Sequence, residues 1–223
     1  MRKEHDFLGE LEVPDEAYYG VQTLRAIENF SITGSRLDVD FIQALAKVKK
    51  AAAQANMETG RLDKRIGNAL VEAAEEIIDG KFIDQFPVDP IQGGAGTSVN
   101  MNANEVIANR ACEIMGHKKG EFQYCAPNGH ANCGQSTNDV YPTTIRLTLI
   151  LLNKKLIEHL SQLIAAFRRK GEEFKNVIKM GRTQLQDAVP MTSGQEFNAF
   201  ANTLEEEIAN LNRNAALLHE INM

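Results

Sequence analysis

Apolar positions along this chain recur mostly at spacings of three and four, which is the spacing of one helix face. Phe41, Leu45, Val48 and Ala52 form such a stripe between an Asp38 or Asp40 cap and Gly60. Ile66, Leu70, Ala73 and Ile77 form a second between about Asp63 and Asp79, with Gly80 as the stop. A third helix is predicted from about Val99 to Met115, ending at Gly116. A long fourth opens at Asp139 or Tyr141 with Pro142 in its first turn and carries Leu147, Leu151, Ile157, Leu160, Ile164 and Phe167 toward Phe174. The last follows a capping box, Ser193-Gly194-Gln195-Glu196. Its stripe runs through Phe197, Phe200 or Ala201, Leu204, Ile208, Leu211, Ala215, Leu218 and Asn222. That is about 25 residues, or roughly 37 Å of helix, and the pattern predicts a chain cut in mid-helix at Met223.

The remainder reads as loop. Residues 1–37 look irregular with short extended pieces, Phe7–Val13 alternating until Pro14 stops it. Gln85–Ser98, residues 116–141 and the segment Gly181–Pro190 are polar connections. The six prolines leave residues 15–86, 143–189 and 191–223 free, which strengthens the mostly helical expectation.

Composition narrows the class. At 223 residues the chain can bury a real core, and 43% hydrophobic with 24% charged residues describes a globular protein. Lys and Arg number 24 against 30 Asp and Glu, a net charge of −6 without a basic cluster, which argues against nucleic-acid and anionic-membrane surfaces. The charged start lacks a signal-peptide core, and the longest aliphatic stretch, around Leu147–Leu152, is far below the roughly 20 residues of a membrane span. Three cysteines, Cys112, Cys125 and Cys133, fit reduced thiols and a cytoplasmic location. With His117 and His130 they offer zinc-type ligands, but no CxxC half. No metal or cofactor is expected.

Three loops share a chemical accent, and each sits at a helix boundary. Gly93-Gly94-Ala95-Gly96-Thr97-Ser98 lets backbone amides approach a ligand where a helix begins. It is neither a dinucleotide fingerprint nor a phosphate loop, since no Lys follows. Gln135-Ser136-Thr137-Asn138-Asp139 offers more neutral donors and acceptors than one cap needs. Gly181–Pro190 is long for a plain linker. None holds a nucleophile–base pair or a carboxylate dyad. Together they point to neutral hydrogen-bond recognition of a small polar anion.

Read as strings, the three loops resemble the fumarase/aspartase superfamily. The run Gly93–Glu105 is similar to its first signature, Gln135–Asp139 to its second, and Gly181–Asp187 to the loop that follows. The segment Val13–Phe30 is of the same type. Ser136-Thr137-Asn138-Asp139, where fumarases typically have Ser-Ser-Asn-Asp, and Thr183-Gln184, where they have Thr-His, resemble the aspartase branch, as do Tyr18-Tyr19-Gly20 and Leu24-Arg25-Ala26-Ile27.

The resemblance implies reversible deamination of L-aspartate to fumarate and ammonia through an aci-carboxylate. Ser136, Thr137 and Thr183 would hold the β-carboxylate, with Thr97, Asn138 and Gln184 around the amino group. Because Gln184 stands where some aspartases carry His, no imidazole role transfers. The family's base is a serine on a Gly-Ser-Ser-x-Met-Pro-x-Lys-x-Asn-Pro loop, and no such string occurs in these residues. The implied architecture is an N-terminal helical domain over 1–138, then over 139–223 the first part of a long up-and-down bundle. The implied assembly is a homotetramer whose subunits share active sites, and these residues alone would be inactive. Fumarate hydratase and a non-catalytic helical assembly module are the competing readings.

Overall fold

The computed structural model describes all residues from Met1 to Met223. Strands β1 (Arg2–Asp6) and β2 (Gly9–Val13) are followed by helices α1 (Val21–Asn29), α2 (Val39–Glu58), α3 (Lys64–Ile78), α4 (Thr97–Ile114) and α5 (Thr137–Glu173). Strands β3 (Ile178–Thr183) and β4 (Gln186–Thr192) then lead into α6 (Ser193–Ala216). The chain divides into two compact units, Met1–Thr148 with Ile221–Met223, and Leu149–Glu220.

In the first unit, α2 and α3 start where Asp38 and Asp63 accept hydrogen bonds from the amides two residues on, Asp40 and Arg65. Their apolar faces bury Ile42, Leu45, Leu70 and Ile77 against Phe86, Val99, Val106 and Ile107. Helix α4 lies at the centre of this core, with thirteen of its eighteen residues buried, so it needs no polar face. Five of the buried ones, Asn100, Asn102, Asn104, Glu105 and Asn109, are polar.

The N-terminal 37 residues are more regular than their sequence suggests. β1 and β2 pair antiparallel from Arg2↔Val13 to Asp6↔Gly9. Helix α1 has no side-chain cap of its own, because Gly20 precedes it. Its cap comes from α4: Glu105 accepts from the Gly20, Gln22 and Thr23 amides and the Thr23 hydroxyl, at 2.6–3.1 Å. Glu4 takes the remaining amide, that of Val21, at 3.0 Å. Pro127–Ala131 forms a single π turn.

In the second unit, the segment expected as an inter-helix loop is a β-hairpin. β3 and β4 pair from Ile178↔Thr192 to Thr183↔Gln186, with an irregularity at Gly181. Residues Gln184 and Leu185 turn the chain with φ of 50° and 63°. The capping box of α6 is Thr192 with Gln195, one residue earlier than the sequence reading. Gln195 N donates to Thr192 Oγ1 and Thr192 N donates to Gln195 Oε1. Ser193 is taken by the hairpin, its amide bonding Val177 O, and Glu196 pairs with Lys179 at 2.7 Å. Phe197 packs near Phe167 and Phe174, with ring centroids 6.0 and 5.8 Å away. Leu149, Leu152 and Leu156 line an open apolar cleft of about 340 Å³ with Leu211, Ala215 and Leu218.

The α6 stripe was expected to continue to Asn222. The helix instead stops at Ala216, Leu217–His219 tighten into a 3₁₀ turn, and Glu220–Met223 are irregular. Leu217 in this terminal turn is 73% exposed, so its burial does not sustain a further helical turn. Helix α5 begins two residues before Asp139. Pro142 therefore sits inside the helix as its sixth residue rather than in the first turn.

Candidate active site

Each candidate side chain sits at the start of a helix or at a tight turn, for local reasons. Gly96 caps α4 in the left-handed conformation, φ 86°, and a Cβ there would overlap the Tyr141 ring. The Gln92 side chain accepts from the Val99 amide at 2.9 Å. Thr97 is the first residue of α4, exposed beside a groove of about 230 Å³ that Ser98, Gln22, Arg25 and Asn29 also line. Arg25 in that groove is already forked onto Asp6, with both bonds at 2.9 Å.

Ser136 precedes α5, and its carbonyl accepts from the Asp139 and Val140 amides. Its Oγ accepts from Asn138 N at 3.2 Å, a local turn in which the hydroxyl still has its own O–H to donate. Ser136 and Asn138 are exposed, Thr137 half-buried. Thr137 Oγ1 accepts from Asn100 Nδ2 at 3.0 Å. Accepting that bond leaves its own O–H free to donate. Thr97, Ser136, Thr137 and Asn138 all belong to the first unit; Thr183 and Gln184 belong to the second, exposed at the hairpin tip.

Sequence reasoning missed the residues behind the Ser136 turn. Lys49 on α2 is 3% exposed and donates to Asn132 Oδ1 and Gln135 Oε1, both at 2.9 Å. Burial brings its pKa from 10.5 down to about 7. The signal was present in the spacing: Ile42, Ala46 and Ala53 share its helix face and are buried. The Asn-rich run of α4 was another, since asparagine is rarely buried without a task. Asn100 Oδ1, Asn102 Oδ1 and Asn104 Oδ1 are buried acceptors without a donor.

The cysteines do not form a ligand set. No three His, Cys, Asp or Glu side chains converge. Cys112 and Cys125 are fully buried, which pushes their thiols up to about 11 and about 12. His130 Nδ1 accepts from Ala126 N at 2.9 Å and so holds the π turn.

A family profile described as Lyase matches residues 9–222. The chain belongs to this lyase family. It is 56% identical over 222 residues to the aspartate ammonia-lyase of Bacillus subtilis (strain 168), a match covering 100% of this chain and 47% of that relative. Its fold matches the crystal structure of a fumarate lyase:delta crystallin from Brucella melitensis with a TM-score of 0.96 at 55% identity, over 100% of this chain and 50% of that one. The class II fumarase from Schistosoma mansoni follows at 0.90 and 36%, over 99% and 47%. The lyase chain thus has the mostly helical fumarase/aspartase-like fold, and it spans about half the length of the curated relatives it matches. No helix in it is long and apolar enough to cross a membrane.

Proposed function

We propose that the full-length protein is a carbon–nitrogen lyase that reversibly eliminates ammonia from L-aspartate to give fumarate. The observation that carries this reading is 56% identity, over the whole of this chain, to an aspartate ammonia-lyase. In the proposed reaction a base takes a proton from Cβ, and the released electron pair moves into the neighbouring β-carboxylate as an aci-carboxylate. Collapse of that dianion forms the carbon–carbon double bond. The ammonium substituent leaves as ammonia with the electron pair of its bond to Cα. Charge accumulates on the β-carboxylate, so neutral donors fixed against it lower the barrier.

Ser136, Thr137 and Thr183 are the proposed donors to that group, and Thr97, Asn138 and Gln184 surround the departing nitrogen. Three features support the assignment: exposed hydroxyls, placement at helix starts and a hairpin tip, and the free O–H of Thr137. The base is a serine on a segment that these residues do not include. Accordingly residues 139–223 are the opening part of a central bundle domain, the assembly is a homotetramer sharing its sites between subunits, and the 223 residues alone are inactive.

Fumarate hydratase is the second reading, supported by the fold match at 36% identity to a class II fumarase. Ultraviolet absorbance of fumarate, followed with aspartate and with malate on the full-length protein, separates the two. Fumarate formed from malate but not from aspartate overturns the proposal. Thr183→Ala is expected to lower kcat by about 10²-fold, the usual cost of losing one such donor; an unchanged kcat removes Thr183 from the mechanism.

A further inference from the structure

Lys49 is a buried amine with no opposite charge. Its two acceptors are amide oxygens whose orientation is fixed, because Asn132 Nδ2 donates to Gln135 O at 3.0 Å and Gln135 Nε2 to Ala131 O at 3.1 Å. A neutral amine supplies two N–H donors, which matches those two oxygens; an ammonium carries a third.

Several charged groups of this unit are engaged elsewhere. On α3, Glu75 pairs with Lys50, and Glu76 with Lys81 and Arg110. On α4, Glu105 holds the start of α1, and on α5, Asp139 accepts from Asn222. In the π turn, His130 accepts from a backbone amide. Desolvation alone acts on the Lys49 proton.

The same network reaches the candidate site. Asn132 Oδ1, held by Lys49, also accepts from Asn100 Nδ2 at 3.2 Å, and that nitrogen donates to Thr137 Oγ1 at 3.0 Å. Gln135, the other acceptor, immediately precedes Ser136. We propose that Lys49 is a positioning residue for the Ser136–Thr137–Asn138 turn and that its protonation is coupled to carboxylate binding there. The inference rests on the proposed dicarboxylate function and deepens it. A carboxylate held at the turn favours the ammonium, so the anion and a proton bind together, and affinity weakens as pH rises above about 7.

The test uses the full-length protein and succinate, a dicarboxylate without an amine to lose. Calorimetry at about pH 8, in two buffers of different ionisation enthalpy, counts protons taken up on binding. Wild type is expected to take up between about half and one proton, and its succinate affinity to fall severalfold per pH unit above neutrality. Lys49→Met should show neither. Gln135→Glu sets a carboxylate beside Nζ and keeps Lys49 charged, so binding should persist at pH 8 without uptake, with the pH limb of KM moved upward by about one unit or more. That variant also answers the case in which Lys49→Met fails to fold. Succinate binding without proton uptake in wild type, or with uptake unchanged in both variants, overturns the coupling and leaves the lyase reading standing. No succinate binding by wild type overturns both.

Discussion

Removing the carboxylate of Glu105 should unfasten α1 from the core. Glu105 is 1% exposed and accepts four hydrogen bonds: Oε2 from Gly20 N, Thr23 N and Thr23 Oγ1, and Oε1 from Gln22 N. Burial pushes its pKa up while these donors pull it down. Three of the four are first-turn amides of a helix whose N-cap is glycine. Glu105→Ala leaves them without an acceptor inside the protein. At roughly 1–3 kcal/mol for each orphaned buried donor, the expected loss is about 4 kcal/mol.

Glu105→Gln is the informative control, because it preserves volume. With its amide oxygen at the Oε2 position it keeps three of the four bonds. Its NH₂ then faces the Gln22 amide, so the expected cost is about 1.5 kcal/mol. Urea unfolding followed by circular dichroism gives both numbers. Hydrogen exchange should show the Gly20–Thr23 amides losing protection in the Ala variant while α3 keeps its own. An Ala variant within about 1 kcal/mol of wild type, or a Gln variant equally damaging, refutes the capping account.

Two further outcomes follow from the same geometry. The Lys49 pKa is about 7 when folded and ordinarily 10.5, so the unfolded chain binds one more proton between those values. Stability therefore rises with pH across that window, the burial cost being full below pH 7 and gone above the unfolded pKa. Lys49→Met should remove roughly 1.4 kcal/mol of slope per pH unit, read from urea titrations at two pH values, and an unchanged slope refutes the burial argument. Leu185 holds φ 63° with its side chain 99% exposed, so it carries left-handed strain without packing in return. Leu185→Gly is expected to stabilise the chain by about 0.5 kcal/mol, and a lower melting temperature would contradict this.

What the sequence disclosed and what it hid divide by the range of the interaction. The starts of α2 and α3 were legible because Asp38 and Asp63 cap their own neighbours, and the end of α3 because Gly80 takes φ 91°. Helix α1 was hidden because its cap, Glu105, lies 85 positions from Gly20. The β3–β4 hairpin was hidden for another reason. Gly181 and Pro190 read as loop residues, and the turn at Gln184–Leu185 lacks the glycine or asparagine that usually marks two positive φ angles. The six candidate site residues stood out because Gly-rich and Ser-Thr-Asn strings are local. Lys49 did not, because a lysine is ordinarily assigned to solvent.

The same division runs through the candidate chemistry. All six candidates are uncharged, five of them are exposed, and four carry hydroxyls, three of which are proposed as donors to a carboxylate. Neutral donors suit a site where charge grows during the reaction. They hold a resting carboxylate modestly, and they gain strength as the aci-carboxylate forms. Arg25, the guanidinium lining the Thr97 groove, is forked onto Asp6, so it is not a free cation there. In the proposed coupling the positive charge behind the Ser136 turn comes from Lys49, whose pKa burial lowers to about 7 and whose protonated form an arriving anion would favour. In that proposed arrangement the candidate donors are set by short strings. The charge that backs them is set by which face of α2 turns inward.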